Sequence, residues 1–256
     1  MAGQPFSHLK TDGNYIFGTD ALHGREHLTA RVTIAIAGWS IVQAHLGNAF
    51  AELIGGKTPV AMSMYAAFDS FAVQRQLLIT AVEELLPKRY SEVFRLTLKV
   101  IEVAGKERHR FAHWIWGGST DPKFSTKILL LVEPRHSWRV RVAAIRRAKG
   151  IPKEDLSFFV MPRLDPKEIR AYTADDLERV GRQMELAWRY AHALSDLVAS
   201  KPKRRLEIRR ALLAQPEIHR AYDEARRRSA KVTKADSKPT HRSKPARRKS
   251  VIAKHK

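Results

Sequence analysis

The densest run of reactive side chains in this 256-residue sequence is Lys106-Glu-Arg-His-Arg-Phe-Ala-His-Trp-Ile-Trp116. His109 and His113 stand four apart, so on a helix they point within about 40° of each other, a spacing that suits a zinc ion. No glutamate completes an H-E-x-x-H pattern and no third ligand lies nearby, so neither a metal site nor a cofactor is expected. Lys106 and Arg110 interleave with Phe111, Trp114 and Trp116, which would give a nucleic acid both phosphate contacts and stacking surface. The same residues serve equally well as core aromatics and solvated cations near a helix C-terminus, where each cation gains about 0.3–1 kcal/mol from the dipole. Arg108 and His113 are five apart, about 140° in projection, so they do not share a helix face.

The elements that must position this run are mainly helical. From Arg25 to Leu53, Trp39, Val42, Leu46, Phe50 and Leu53 step by three and four, and Gly55-Gly56 supplies a stop. Gly38 within that stretch costs up to about 1 kcal/mol and points to close helix packing or a bend. Pro59 opens a second helix, expected to reach Leu86 with Met64, Phe68, Phe71, Leu78, Val82 and Leu85 on one side. A third is expected from Ser91 to Trp116, carrying Phe94, Leu98, Ile101 and Gly105 on its stripe and closed by Gly117-Gly118. Three long amphipathic helices with short connections predict an antiparallel bundle.

Beyond Gly118 the pattern changes. Lys127–Glu133 is a short β-like run, Trp138–Val142 alternates with period two, and Ser157–Met161 has the composition of another strand. These predict a small β-hairpin insertion at about 127–161. Thr173-Ala-Asp-Asp176 is a capping box, opening a helix to about Val198 whose Leu177, Met184, Trp188, Ala191 and Leu194 would pack back on the bundle. The organisation expected is a polar, irregular lead-in (1–24), the bundle with its insertion (25–200), a basic helical extension (201–228) broken at Pro216, and a disordered basic tail (229–256).

Arg108-His109-x-x-x-His113, late in a long helix, resembles the motif of the HEPN (higher eukaryote and prokaryote nucleotide-binding) domains. Their pattern is an Arg, often followed by a polar Asn or His, and a His after four to six residues, late in a long helix of an α-helical bundle. The chain is similar to a bacterial branch in which this helix is followed by a short hairpin and a helix opening Tyr-Thr-x-x-Asp-Leu. Here those residues are Tyr172-Thr173-Ala-Asp-Asp176-Leu177. The likeness spans roughly residues 30–200. Trp114 stands where that branch usually has Gly, and Gln43 where its first helix often has Glu.

The resemblance implies metal-independent RNA cleavage at a composite site in a homodimer; a toxin-like component paired with a separate antitoxin chain is a further alternative. The residue types are compatible. A histidine titrates near neutral pH, so His113 can take a proton from a ribose 2′-hydroxyl, whose oxygen then attacks the adjacent phosphate and leaves a 2′,3′-cyclic end. Arg108 offers a planar fork to charge growing on the phosphoryl oxygens. His109 orients substrate or acts as the second acid/base. The 140° offset of Arg108 from His113 is met by the reach of the long Arg side chain or by two subunits juxtaposing their motifs.

Charge bears on the partner. The chain carries 47 Lys+Arg against 26 Asp+Glu, a formal +21, but residues 201–256 alone hold 20 basic and five acidic side chains. The polyanion-facing excess is therefore concentrated in the last fifth, where Arg204, Arg205, Arg226, Arg227, Arg228, Arg247, Arg248 and Lys249 are candidate phosphate contacts. A non-catalytic nucleic-acid-binding protein, dimerised through the bundle and held by the basic tail, is thus the alternative to an enzyme. The absence of cysteine excludes disulfides, thiolate metal sites and a cysteine nucleophile. The most apolar run, Val32–Val42, is about half a membrane span, and no signal-like segment opens the chain, so no membrane role is expected and the cytoplasm is the expected location. No glycine-rich phosphate loop or G-x-S-x-G context occurs.

Overall fold

The computed structural model describes residues 3–11, 14–147 and 164–236. In chain order its strands are β1 (Gln4–Pro5), β2 (Tyr15–Phe17), β3 (Ile115–Ser119), β4 (Ile128–Val132) and β5 (Ile169–Thr173). Its α-helices are α1 (Glu26–Ile54), α2 (Thr58–Ala66), α3 (Phe71–Leu85), α4 (Lys88–His113), α5 (Pro134–Arg147), α6 (Ala174–Ala199), α7 (Pro202–Leu213) and α8 (Pro216–Asp236). The chain is mainly helical with one small antiparallel sheet, in the order β1-β5-β4-β3-β2.

α1 follows its apolar spacing closely. Leu28, Val32, Trp39, Val42, Leu46, Phe50 and Leu53 are buried, and the helix ends on Gly55 at φ 62°, a left-handed cap that glycine takes without steric cost. α6 opens with the expected reciprocal cap. The Thr173 hydroxyl accepts from the Asp176 backbone N–H at 3.2 Å, while the Asp176 carboxylate accepts from the Thr173 N–H at 3.1 Å. α6 lies along α1, and the close approach is carried at Gly38, where a Cβ would stand 3.0 Å from Cγ of Met184. A second such place is Gly105 on α4, where a Cβ would come within 2.7 Å of the Trp39 ring. Together with Tyr65, Leu78, Val82, Phe94, Leu98, Ile101 and Leu194 these helices bury one large core.

Several expectations are corrected. The helix expected from Pro59 to Leu86 is two helices. The Gln74 amide turns back to donate to the carbonyls of Tyr65 (3.3 Å) and Phe68 (2.7 Å), satisfying the C-terminus of α2 and fixing the break at Ala67–Ser70. Met64, Phe68 and Leu85 are consequently exposed rather than core. Gly117-Gly118 does not stop a helix. α4 ends at His113, and both glycines lie inside β3, where a Cβ on Gly117 would come within 2.6 Å of the Ile16 carbonyl oxygen and one on Gly118 would clash with the Arg25 guanidinium, 2.3 Å from its central carbon. The alternating Trp138–Val142 is helical, within α5. Both flanks of β4 are already taken by β3 and β5, so the sheet offers that segment no place beside β4.

The hairpin is therefore β3–β4, with Trp116 opposite Leu131, and β5 completes the centre of the sheet in place of a strand at Ser157–Met161, which falls outside the described residues. β4, Ile-Leu-Leu-Leu-Val, lacks alternation because both of its faces are covered. Leu129 and Leu131 meet Leu28, Val32, Phe111 and Tyr172, while Ile128, Leu130 and Val132 meet Phe6, Leu164 and Ile169. The lead-in is accordingly more than irregular chain, since it supplies two edge strands and the fully buried Phe6. The extension belongs to the core through Ile208, Leu212 and Ile218. α8 continues to Asp236, so residues 229–236 are helical rather than disordered, and the remainder of the expected tail lies outside the described residues. Among the described residues, no helix is long and apolar enough to cross a membrane.

Candidate functional site

The C-terminal turns of α4 border an open cleft of about 1050 Å³, walled on its other sides by α1, α2 and the start of α3. Lys106, Arg108, His109, Arg110, His113 and Trp114 all line it. Arg108 and His113 thus reach a common space despite the angle between them on the helix.

The end of α4 is held from beneath by a buried polar network. Glu107 is only 2% exposed, accepts from Arg110 at 2.7 Å and from the Tyr172 hydroxyl at 3.1 Å, and so ties α4 to β5. Although burial opposes its charge, Glu107 beside it holds the Arg110 guanidinium above its ordinary value. Arg110 also sits over the Trp114 ring, 5.6 Å from its centroid. Trp116 donates from its indole N–H to the Phe111 carbonyl at 2.9 Å, and Trp114 and Trp116 both pack on the cluster around Phe111. Arg110 and the two tryptophans therefore anchor the helix end as well as bordering the cleft.

His109 and His113 project from this anchored end with ring centroids 4.7 Å apart. Burial foremost, then the charges of His113 and Arg108, holds the His109 imidazole below its ordinary value, against an opposing pull from Glu133. Its neutral form therefore prevails at pH 7. Arg108 is half-buried, and its Nε is covered without a hydrogen-bond partner among the described residues. Lys106 pairs with Glu102 at 3.0 Å, and Glu102 also accepts from Arg75 at 3.1 Å, so this acid is matched by two cations on one wall. Among the described residues no three His, Cys, Asp or Glu side chains group as metal ligands.

The basic residues of the extension are placed less uniformly. Arg205 donates to the Leu197 (2.9 Å) and Val198 (2.8 Å) carbonyls, capping α6, and lies over the Tyr90 ring. Arg204 pairs with Glu207 at 3.1 Å. Arg226 and Arg227 are exposed on α8, Arg226 lying over the Tyr222 ring. Arg228 lies on α8, and Arg247, Arg248 and Lys249 lie outside the described residues.

Sequence patterning did not single out Tyr65, Arg75, Glu102 or Glu133, which also line the cleft. Tyr65 lies on α2 with its ring centroid 5.7 Å from that of Phe50 on α1, just before the α2–α3 break. Glu133 follows β4 and reaches the cleft only through the hairpin. Neither carries a local sequence signal.

No family model, curated protein or solved structure matches this chain.

Proposed function

We propose that this protein is an HEPN-like antiparallel helical bundle acting as a metal-independent endoribonuclease, with Arg108, His109 and His113 as its catalytic residues. The observation that supports the reading is their convergence on one cleft, with Arg108 Nε covered and without a partner among the described residues and the His109 and His113 ring centroids 4.7 Å apart.

The paired imidazoles form the acid–base unit. One takes the proton from the ribose 2′-hydroxyl, the 2′-oxygen bonds to phosphorus, the bond from phosphorus to the 5′-oxygen breaks, and that leaving oxygen takes a proton from the second, protonated ring. His113 takes the proton as base and His109 serves as the second acid/base, or the roles exchange. Arg108 meets the negative charge that builds on the non-bridging oxygens, where a planar guanidinium can donate twice. A second copy facing this cleft would supply the composite arrangement implied by the family resemblance.

The test is labelled single-stranded RNA incubated in EDTA with wild type, Arg108→Ala and His113→Ala. Cleavage to 2′,3′-cyclic ends that both substitutions abolish is expected. Absence of cleavage, or cleavage unchanged in His113→Ala, overturns the enzyme reading. A non-catalytic nucleic-acid binder is the second reading, favoured by the exposed Arg226 and Arg227 leading into the basic C-terminal run. It requires binding that falls steeply with salt, vanishes on truncation after Asp236 and is indifferent to Arg108 and His113. Truncation at residue 200 is unsuitable because Ile208, Leu212 and Ile218 are core.

A further inference from the structure

Among the described residues six covered side-chain polar atoms meet no hydrogen-bond partner, and three of them belong to residues lining the same cleft: Arg108 Nε, Gln43 Oε1 and the Tyr65 hydroxyl. Buried polar groups are nearly always satisfied, and each exception calls for a reason. Three exceptions around one cavity, on α4, α1 and α2, share a reason if the cavity has an occupant. The set is specific in type. Arg108 Nε can only donate, Gln43 Oε1 can only accept, and the hydroxyl can do both. Burial pushes the Tyr65 phenol well above its ordinary value, so the hydroxyl keeps its proton.

The walls around them are aromatic. Phe68, 42% exposed, lines the cleft, as do Trp39 and Phe71, which pack edge to face with centroids 5.0 Å apart. Gly47 leaves room against Tyr65 and Met62, whose nearest atoms would stand 3.4 and 3.7 Å from a Cβ there. Met62, long and unbranched, is a cover that can give way to a ligand. A flat heterocycle with donors and acceptors on its edge fits such a place, and single-stranded RNA is recognised by splayed bases that stack on aromatics and hydrogen-bond along their edges.

We propose that the α1–α2–α3 wall of the cleft is a nucleobase subsite, in which Gln43 and Tyr65 hydrogen-bond the edge of an unpaired base stacked on Phe68. Arg108 holds the phosphate attached to it. The inference rests on the ribonuclease reading for the identity of the ligand as RNA, and it makes Gln43 and Tyr65 specificity-determining residues of that site.

The test is binding rather than turnover. Fluorescein-labelled RNA hexamers of A, C and U, and one hexamer with a single abasic ribose, all carry 2′-O-methyl groups so that no cleavage by 2′-oxygen attack can occur, and anisotropy gives their affinities. At least one base-bearing hexamer is expected to bind about ten-fold more tightly than the abasic one, the size of a single stacking contact. Gln43→Leu and Tyr65→Phe should each reduce that advantage, leave abasic binding within about two-fold, and melt no lower than wild type, since each removes an unsatisfied group. Equal affinity for base-bearing and abasic hexamers, or an undiminished advantage in both variants, overturns the subsite. A base preference in a protein that cleaves no RNA supports the subsite while removing the catalytic reading. Cleavage without base preference does the reverse.

Discussion

Glu107 is buried beneath the end of α4 and accepts hydrogen bonds from both Arg110 and Tyr172. In Glu107→Ala the Tyr172 hydroxyl, on a side chain with no exposed surface, loses its acceptor, and Arg110, whose side chain is 17% exposed, loses its carboxylate. An unsatisfied buried hydroxyl costs about 1–3 kcal/mol, and breaking a buried charge pair by removing one partner costs about 3–5 kcal/mol. Arg110 can swing partly into solvent, so the two costs do not add fully, and a loss of about 3–5 kcal/mol is expected for the substitution. At about 2–4 °C per kcal/mol for a chain of this size, the thermal midpoint should fall by about 6–20 °C. Circular dichroism melts measure this directly. The triple variant Glu107→Leu, Arg110→Leu, Tyr172→Phe, which removes the network and refills its volume, should recover most of the loss. A Glu107→Ala protein melting within about 2 °C of wild type, set against the 6 °C minimum above, would refute the argument that this network anchors α4.

Two further outcomes follow from the same geometry. Gly118→Ala places a methyl group in the Arg25 guanidinium, which is buried and donates to the carbonyls of Ala21 (2.5 Å), Ser119 (2.9 Å) and Ile128 (3.2 Å). Displacing it forfeits charge-assisted bonds worth about 1.5–3 kcal/mol each, so urea midpoints should show a loss of at least about 3 kcal/mol; a neutral effect would contradict the placement of Arg25. Because His109 is held below its ordinary imidazole value, the unfolded chain takes up its proton first as pH falls. The contribution of that group is therefore present above the ordinary value of about 6.5 and lost as pH drops through it toward the folded value. Urea midpoints at pH 7, 6 and 5 should decline, and His109→Gln should flatten the decline; an unchanged slope would dismiss His109 as a source. His45, lowered chiefly by burial and next by His192, acts with the same sign and is removed separately.

What the sequence determined by itself was what short-range physics enforces. The periodic stripe and Gly55 delimit α1, the Thr173–Asp176 box starts α6, Pro216 separates α7 from α8, and the apolar run at 128–132 is a strand. Each depends on groups within a few residues of one another. Arg108, His109 and His113 were likewise legible as a candidate site, because they share one short segment of sequence. Tertiary structure decided the rest. Whether Gly117-Gly118 ends a helix or lies in a strand depends on Arg25 and Phe17 arriving from about a hundred residues away. Whether Trp138–Val142 is strand or helix depends on the flanks of β4 being taken. Whether Arg108 and His113 can act together depends on a wall built by α1, α2 and α3, with Gln43 and Tyr65 in it. Local pattern fixes which groups a segment offers, whereas a cleft exists only between segments, and its lining is set by how their buried faces pack.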